Sequence, residues 1–146
     1  MEVLDPKSLL FSFILKESIR SRKNLADRFK EDGINLKIDQ YVFLELIYTN
    51  KNTTQQEISN DLQKDKTIVL RQVKNMIEDG YVVRKVDEKD ARKRNLTLTA
   101  KGEEIYAKAK ASSEAFSQEI LADMTEAQIE VLRQLFATIT QYSKAD

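Results

Sequence analysis

Residues 54–102 read TQQEISNDLQKDKTIVLRQVKNMIEDGYVVRKVDEKDARKRNLTLTAKG, and this stretch decides the fold. Thr54 and Glu57 have the spacing of a capping box, in which each side chain satisfies a free N–H group in the first turn of a helix. Asp65 has the character of a second N-cap, because apolar residues follow it at helical spacing. Only residues 63–65 separate the two short helices, so the pattern predicts a helix-turn-helix.

A β-hairpin is predicted directly after these helices. Asp79 and Gly80 end the second helix, and the β-branched and aromatic residues of 81–86 then predict a strand. Residues 95–98 are the predicted return strand, with two leucines on one face. Residues 87–94 between them are polar and charged, as a hairpin tip in solvent would be. Helix, strand and charged tip in this order predict a winged helix-turn-helix.

Long helices are predicted on both sides of this stretch. The first covers residues 7–31 and ends at Gly33, a residue suited to a left-handed helix cap. Its first turns are apolar on nearly every side, which is more than one buried face requires. We therefore expect it to be buried against a second chain; the alternative is a helix buried in its own domain. Residues 38–48 are dense in apolar side chains and predict a central core helix.

Two more helices are predicted after the hairpin. Thr99 is the expected cap of the first, and Thr125 with Gln128 forms a capping box at the start of the second. Each helix has an apolar stripe with steps of three and four residues. The stripes are Ile105, Ala109, Ser112, Phe116 and Ile120 in the first helix, and Ile129, Leu132, Phe136 and Ile139 in the second.

Charge is unevenly distributed along a chain that is neutral overall, with 24 basic and 24 acidic residues. Residues 64–101 contain 11 Lys/Arg and 6 Asp/Glu, a net charge of +5. Residues 1–63 carry −1 and residues 102–146 carry −4. Positive charge concentrated in one region matters more for binding phosphate than the total does.

Several classes of function are excluded or disfavoured by composition. Cysteine and histidine are absent, which excludes thiolate chemistry and Cys-based redox sensing and leaves only carboxylates as metal ligands. We find no Gly-rich phosphate loop and no Ser/His/Asp or Cys/His set, so we expect neither an enzyme nor a bound cofactor or metal. The longest apolar run, residues 9–15, is too short to span a bilayer, and we expect a cytoplasmic protein.

The second helix of the pair has the pattern of a DNA-reading helix. At 3.6 residues per turn, its valines and Met76 point inward and a mixed polar face points outward. On that face Arg71 is suited to guanine edges, and Thr67 and Leu70 to thymine methyl groups. The lysines on this helix are suited to phosphates, and so are the polar side chains and free N–H groups at the start of the preceding helix. The alternative is a solvated charged face. The predicted contacts from these helices are Thr54, Gln55, Lys66, Thr67, Leu70, Arg71 and Lys74.

The hairpin tip supplies a second cationic element. Arg92 is placed to enter a minor groove, where a narrow A·T tract raises the negative potential. Asp90 is expected to hold the Arg92 side chain by a charge-assisted hydrogen bond. A solvated run of charges is the alternative here too. The predicted contacts from the tip are Lys89, Asp90, Arg92, Lys93 and Arg94.

Three short motifs in this stretch resemble the MarR family of bacterial transcriptional regulators. They are Asp79-Gly80-Tyr81-Val82, Asp90-Ala91-Arg92 and Leu98-Thr99-Ala100-Lys101-Gly102. The resemblance covers nearly the whole chain and departs from the family at Ile68 and Leu70, where small polar residues are common. It implies a homodimer on pseudo-palindromic operator DNA, weakened or released by a small ligand.

The combined expectation is a mainly α protein with a small β-hairpin (α+β), a winged helix-turn-helix with flanking dimerisation helices. Residues 1–146 form a single winged-helix domain, with residues 36–100 as the DNA-binding lobe. Residues 1–33 and 101–146 form the helical dimerisation region. The alternative function is a winged-helix protein-interaction module without DNA binding.

A ligand site is implied by the resemblance, between the dimerisation and DNA-binding regions. The candidate lining residues are Phe13, Arg20, Tyr41 and Tyr48. The alternative interpretation of these aromatic residues is that they belong to the core.

Overall fold

The fold is mainly helical with one small antiparallel hairpin, which confirms the predicted class. The computed structural model describes residues 5–142. The chain divides into two compact units, one ending at Ser112 and the other starting at Ser113. Among the described residues, no helix is long and apolar enough to cross a membrane. The elements are α1 (Pro6–Glu31), α2 (Ile38–Thr49), α3 (Gln55–Leu62), α4 (Lys66–Glu78), β1 (Val82–Val86), β2 (Arg94–Leu98), α5 (Ala100–Leu121) and α6 (Glu126–Tyr142).

The predicted capping residues begin their helices. Thr54 donates its backbone N–H to Glu57 Oε2 at 2.7 Å, and its hydroxyl oxygen accepts the N–H of Glu57 at 3.2 Å. Thr125 and Gln128 make the same pair of bonds at 2.8 and 3.3 Å at the start of α6. Both capping boxes are thus confirmed.

Helix α2 is the central helix of the first unit, as predicted. Its buried side chains include Phe43, Leu44 and Ile47, and the core also contains Phe29 from α1. Phe29 sits edge-on against Tyr41, with ring centroids 5.4 Å apart. Large apolar groups taken out of water in this way are the main favourable contribution to folding.

The hairpin pairs Val82 with Leu98 and Val86 with Arg94. Strand β2 therefore begins one residue earlier than predicted, because the ladder extends to the Val86–Arg94 pair. Leu96 is buried, and its N–H donates to the carbonyl oxygen of Thr53 at 2.8 Å. The loop before α3 is thereby attached to the hairpin.

Two of the three motifs behind the family resemblance contact each other in space. The Thr99 hydroxyl donates to the carbonyl oxygen of Gly80 at 2.5 Å and accepts the N–H of Gly102 at 3.0 Å. A Cβ at Gly102 would lie 2.0 Å from the carbonyl oxygen of Tyr81, so only glycine fits there. Gly80, with φ of 78°, ends α4 in the left-handed conformation. The two motifs together fix where the hairpin leaves α4 and where α5 begins.

The first half of α1 is not covered by its own unit. Its second half contributes Phe29 to the core and Leu25 against it, but Phe11 and Ile19 are 70% and 71% exposed. The alternative of a helix buried in its own domain is therefore wrong for this half. In the second unit, none of the described residues of α6 is fully buried, and Phe136 is exposed.

Candidate nucleic-acid interface

Helix α4 separates its residues into a buried and an exposed face, as the rotation predicted. Val69, Val73 and Met76 are fully buried against the core. Within residues 5–142, the Arg71 and Lys66 side chains have no hydrogen bond or ion pair. Lys74 Nζ lies 3.9 Å from the Glu78 carboxylate, in an exposed pair that contributes little to stability. The exposed predicted residues on α4 are Lys66, Thr67, Leu70, Arg71 and Lys74.

Asp65 caps α4 in the predicted way. Its Oδ1 accepts the N–H of Thr67 at 2.7 Å. That backbone bond, followed by the one to the Thr67 hydroxyl, lowers the pKa of Asp65. The backbone N–H of Thr67 is therefore used within the cap.

The start of α3 differs from the expected phosphate site. The Thr54 hydroxyl and N–H are both used in the capping box with Glu57. The Gln55 side-chain oxygen accepts two hydrogen bonds from Arg84, at 3.1 Å from Nε and 2.5 Å from Nη2. The side-chain oxygens of Thr54 and Gln55 are thus engaged within the protein, because the cap and the β1 strand need them. The backbone N–H of Gln55 remains as a donor predicted to meet a phosphate.

The tip of the hairpin, residues 87–94, is the wing tip, and Asp87 accepts several of the hydrogen bonds that hold it. Its Oδ1 accepts the N–H groups of Lys89 and Asp90 at 2.8 and 2.9 Å, and its Oδ2 accepts the side-chain amide of Asn95 at 2.7 Å. The amide of Asn95, followed by the two backbone N–H groups, lowers the pKa of Asp87. At neutral pH this carboxylate is ionised, and it holds the turn that presents the basic residues.

Asp90 does not hold the guanidinium group of Arg92, contrary to the sequence-based expectation. Its Oδ1 accepts the backbone N–H of Arg92 at 2.9 Å, because the chain turns there and brings that N–H to the carboxylate. Across the described residues the Arg92 side chain has no ion pair or hydrogen bond. Arg94 instead donates from Nη1 to the carbonyl oxygen of Ala91 at 2.7 Å and so braces the tip. Arg92 is the tip arginine left free to leave the surface.

Sequence reasoning missed two residues that shape this site, Arg84 and Asp87. Asp87 had a local signal, since an aspartate that accepts N–H groups two and three residues ahead is a common turn device. Arg84 had none, because its partner Gln55 lies 29 residues away in the sequence.

The four candidate ligand residues do not form one cluster of described contacts. Tyr41 is buried and stacks on Tyr106 at 6.1 Å between ring centroids, so it belongs to the core. Tyr48 is half exposed, packs on the same Tyr106 ring at 4.9 Å and lines a cavity of about 440 Å³. Phe13 is exposed on α1, and Arg20 bonds to Glu17 on the same helix. Tyr106 connects two of the candidates and was not singled out from the sequence.

No three His, Cys, Asp or Glu side chains within residues 5–142 are grouped so that they could hold a metal ion.

Comparison with known proteins decides the family. The sequence model of the MarR family matches residues 36–93. The HTH-type transcriptional regulator BilQ of Clostridium symbiosum is 30% identical over 117 residues, covering 79% of this chain and 76% of BilQ. This chain belongs to the MarR family.

Solved structures agree with this membership at the level of the fold. A MepR–DNA complex from Staphylococcus aureus matches with a TM-score of 0.76 and 19% identity, covering 92% of this chain and 94% of that one. A MarR protein of S. aureus in complex with salicylate and kanamycin matches with a TM-score of 0.79 and 21% identity, covering 93% and 91%. The MarR-family match spans α2 to Lys93 and so contains every predicted DNA contact except Arg94. The chain has the fold of a MarR-family transcriptional regulator, and that family is not a class of enzymes.

Proposed function

We propose that this MarR-family chain is a homodimeric DNA-binding regulator that acts on a pseudo-palindromic operator and responds to a small ligand. The observation that carries the proposal is the state of two arginines in the first unit. Arg71 on α4 and Arg92 on the wing are both exposed, and neither is paired with a carboxylate in the described part of the chain. A free guanidinium group is the side chain best suited to base edges and narrow grooves.

Each contact element has a role in this proposal. Arg71 pairs with a guanine in the major groove, and Thr67 and Leu70 contact thymine methyl groups. Arg92 enters the adjacent minor groove. The remaining basic residues and the free N–H of Gln55 at the start of α3 bind phosphates and set the register on the duplex. These phosphate contacts are Lys66, Lys74, Lys89, Lys93 and Arg94.

Dimerisation is supported by the apolar surface left open on α1. Four large apolar side chains are exposed within nine residues there, at positions 11, 13, 15 and 19. Surfaces of this kind mark association sites, and a two-fold dimer places two reading helices about one DNA turn apart. A palindromic operator follows from that symmetry.

For the ligand, we propose that Tyr48 forms one wall of the site, because its half-exposed ring borders the cavity of about 440 Å³. The relative solved with salicylate supplies a probe. Salicylate should reduce duplex affinity of the wild type, and Tyr48→Ala should shift the salicylate concentration needed. Equal sensitivity of the two proteins would place the ligand elsewhere.

The experiment that tests the function is selection of bound duplexes from genomic DNA, followed by a salt titration on the selected operator. Neutralising Z phosphates gives a slope of log affinity against log salt of about −0.9Z. A recovered palindromic motif with a steep salt slope supports the proposal. Recovery of no preferred sequence would favour a winged helix that binds a protein instead.

The roles of the two arginines are tested on the same operator. Arg71→Ala should cost about 1–3 kcal/mol of binding and relax specificity at one base pair of each half-site. Arg92→Ala should weaken binding most on operators with an A·T-rich flank. Lys30→Ala, which removes an exposed charge at the end of α1, is the control. If neither arginine variant changes affinity, the reading mechanism is wrong.

A further inference from the structure

Arg84 makes a contact that crosses from the hairpin to the helix-turn-helix. It lies in the middle of β1, and its Nε and Nη2 both donate to the side-chain oxygen of Gln55, at 3.1 and 2.5 Å. Gln55 is the first residue of α3. A side chain in the first strand of the hairpin thus bonds to the first residue of the helix-turn-helix.

A second hydrogen bond joins the hairpin to the neighbouring loop before α3. It runs from the Leu96 N–H of β2 to the carbonyl oxygen of Thr53, at 2.8 Å. Leu96 is the residue paired with Arg84 across the hairpin. Val82 and Leu96 bury the base of the hairpin in the core, and the two bonds from adjacent strands add polar attachments beside that core contact. The Arg84 bond is thus placed to help set the angle at which the wing leaves the helices.

We propose that Arg84 is a positioning residue for DNA binding, which holds the wing at the angle that lets Arg92 and α4 engage one duplex together. The inference rests on the proposed DNA-binding function. Arg84 acts through Gln55, not through the DNA. Its guanidinium group has no carboxylate partner in the described residues, so the neutral Gln55 amide is what orients it.

The chemistry of the contact explains why arginine stands here. The planar guanidinium fork presents two N–H groups in a fixed arrangement, and both reach one oxygen. A lysine at this position would keep the charge but offer a single flexible donor. Substitution of Arg84 by lysine can therefore separate the effect of the charge from that of the hydrogen bonds to Gln55.

The test measures affinity of the full-length protein for its selected operator in four variants. Arg84→Ala and Gln55→Ala should each weaken binding about tenfold, the loss expected for one hydrogen-bonded attachment. The double variant should be no weaker than either single one, because both remove the same contact. Arg84→Lys should behave like Arg84→Ala. Lys108→Gln on α5 is the control for loss of a charge, and thermal unfolding of every variant shows that it is folded.

Two further readouts separate positioning from a direct contact. In an Arg92→Ala background, the effect of Arg84→Ala should be smaller than in the wild type, because the free tip arginine is no longer there to place. The salt slope of Arg84→Ala should equal that of Gln55→Ala, because both variants lose the same contact. A slope shallower by about 0.9, with affinity retained in Arg84→Lys and Gln55→Ala, would make Arg84 a phosphate contact and overturn the inference.

Failure of the proposed function gives a different result. In that case the wild type itself shows no salt-dependent duplex binding. If the wild type binds its operator and the Gln55 and Arg84 variants bind equally well, only the positioning role is wrong.

Discussion

The segment from α2 to the hairpin and the first half of α1 differ in what they bury. Phe43 and Leu44 of α2 are fully inside the core, whereas Phe11 and Ile19 of α1 are more than two-thirds exposed. Burial of apolar surface contributes about 25 cal/mol per Å², so α1 leaves a large favourable contribution unused in the single chain. The difference teaches that the segment from α2 to the hairpin buries its apolar side chains within its own chain, whereas the N-terminal part of α1 leaves its apolar side chains exposed. That exposed surface is the one we propose for the dimer interface.

The largest expected effect comes from disrupting the exposed apolar surface of α1. Phe11→Asp combined with Ile19→Asp should convert the protein into a monomer, because two charges would be buried in the proposed interface. Operator affinity should then fall by about 100-fold or more, since the second half-site no longer binds as part of the same molecule. Light scattering and operator titration measure the two changes.

The control is Asn24→Asp, an exposed polar position on the same helix. It should remain a dimer with unchanged affinity. A double variant that stays dimeric would show that the exposed surface of α1 does not form the interface.

The sequence predicts those parts of the structure that depend on neighbours in the chain. The Thr54–Glu57 and Thr125–Gln128 capping boxes join residues three apart, so spacing alone identifies them. The two faces of α4 follow from helical periodicity in the same way. Local hydrogen bonds and local periodicity can therefore be predicted from the order of residues alone.

Contacts between distant residues were not predicted. The Ser112 hydroxyl donates to Asp32 across 80 residues at 2.6 Å, and Arg84 reaches Gln55 across 29. No spacing rule connects such pairs, because they depend on how the helices pack. The same reason explains why Gln55 was expected to offer DNA a side chain that the folded protein uses itself. Thr54 differs, because it is engaged by the local capping box with Glu57.

The next effect is on the close contact between Gly102 of α5 and Tyr81, just before β1. Gly102→Ala should lower the free energy of unfolding by on the order of 3 kcal/mol, because its Cβ would lie 2.0 Å from the carbonyl oxygen of Tyr81 and backbone would have to move. The loss should appear in chemical denaturation at any protein concentration. That independence would distinguish damage within the chain from damage to the dimer.

Gly33→Ala is the matched control for Gly102→Ala. Gly33 has φ of 71° but nothing within 4 Å of a new Cβ. Its cost should be only the strain of a left-handed alanine, about 1–2 kcal/mol. If the two variants were equally destabilised, the close approach at Tyr81 would not be what requires Gly102.

The smallest effect concerns the wing tip, which is exposed to solvent. The pKa of Asp87 is lowered, chiefly by the Asn95 amide, so the folded turn favours the ionised carboxylate. Its contribution is fully present above the unfolded Asp pKa of 3.8 and is lost as pH falls through the lower folded value. Between about pH 5.5 and 8 the turn should therefore show no dependence on pH from this group.

Asp87→Asn removes that charge and weakens the three bonds that close the turn. The amide protons of Lys89 and Asp90 should then exchange faster with solvent, measured by NMR at neutral pH, while the core amides of α2 stay unchanged. Operator affinity should fall by less than in Arg92→Ala, because the tip arginine is still present but less well held. Glu88→Gln is the matched control, since it removes a neighbouring charge whose side chain makes no hydrogen bond in the described residues. Equal exchange rates in Asp87→Asn and Glu88→Gln would mean that the turn is held by its backbone bonds alone, such as that from the Asp87 N–H to Lys93 at 3.1 Å.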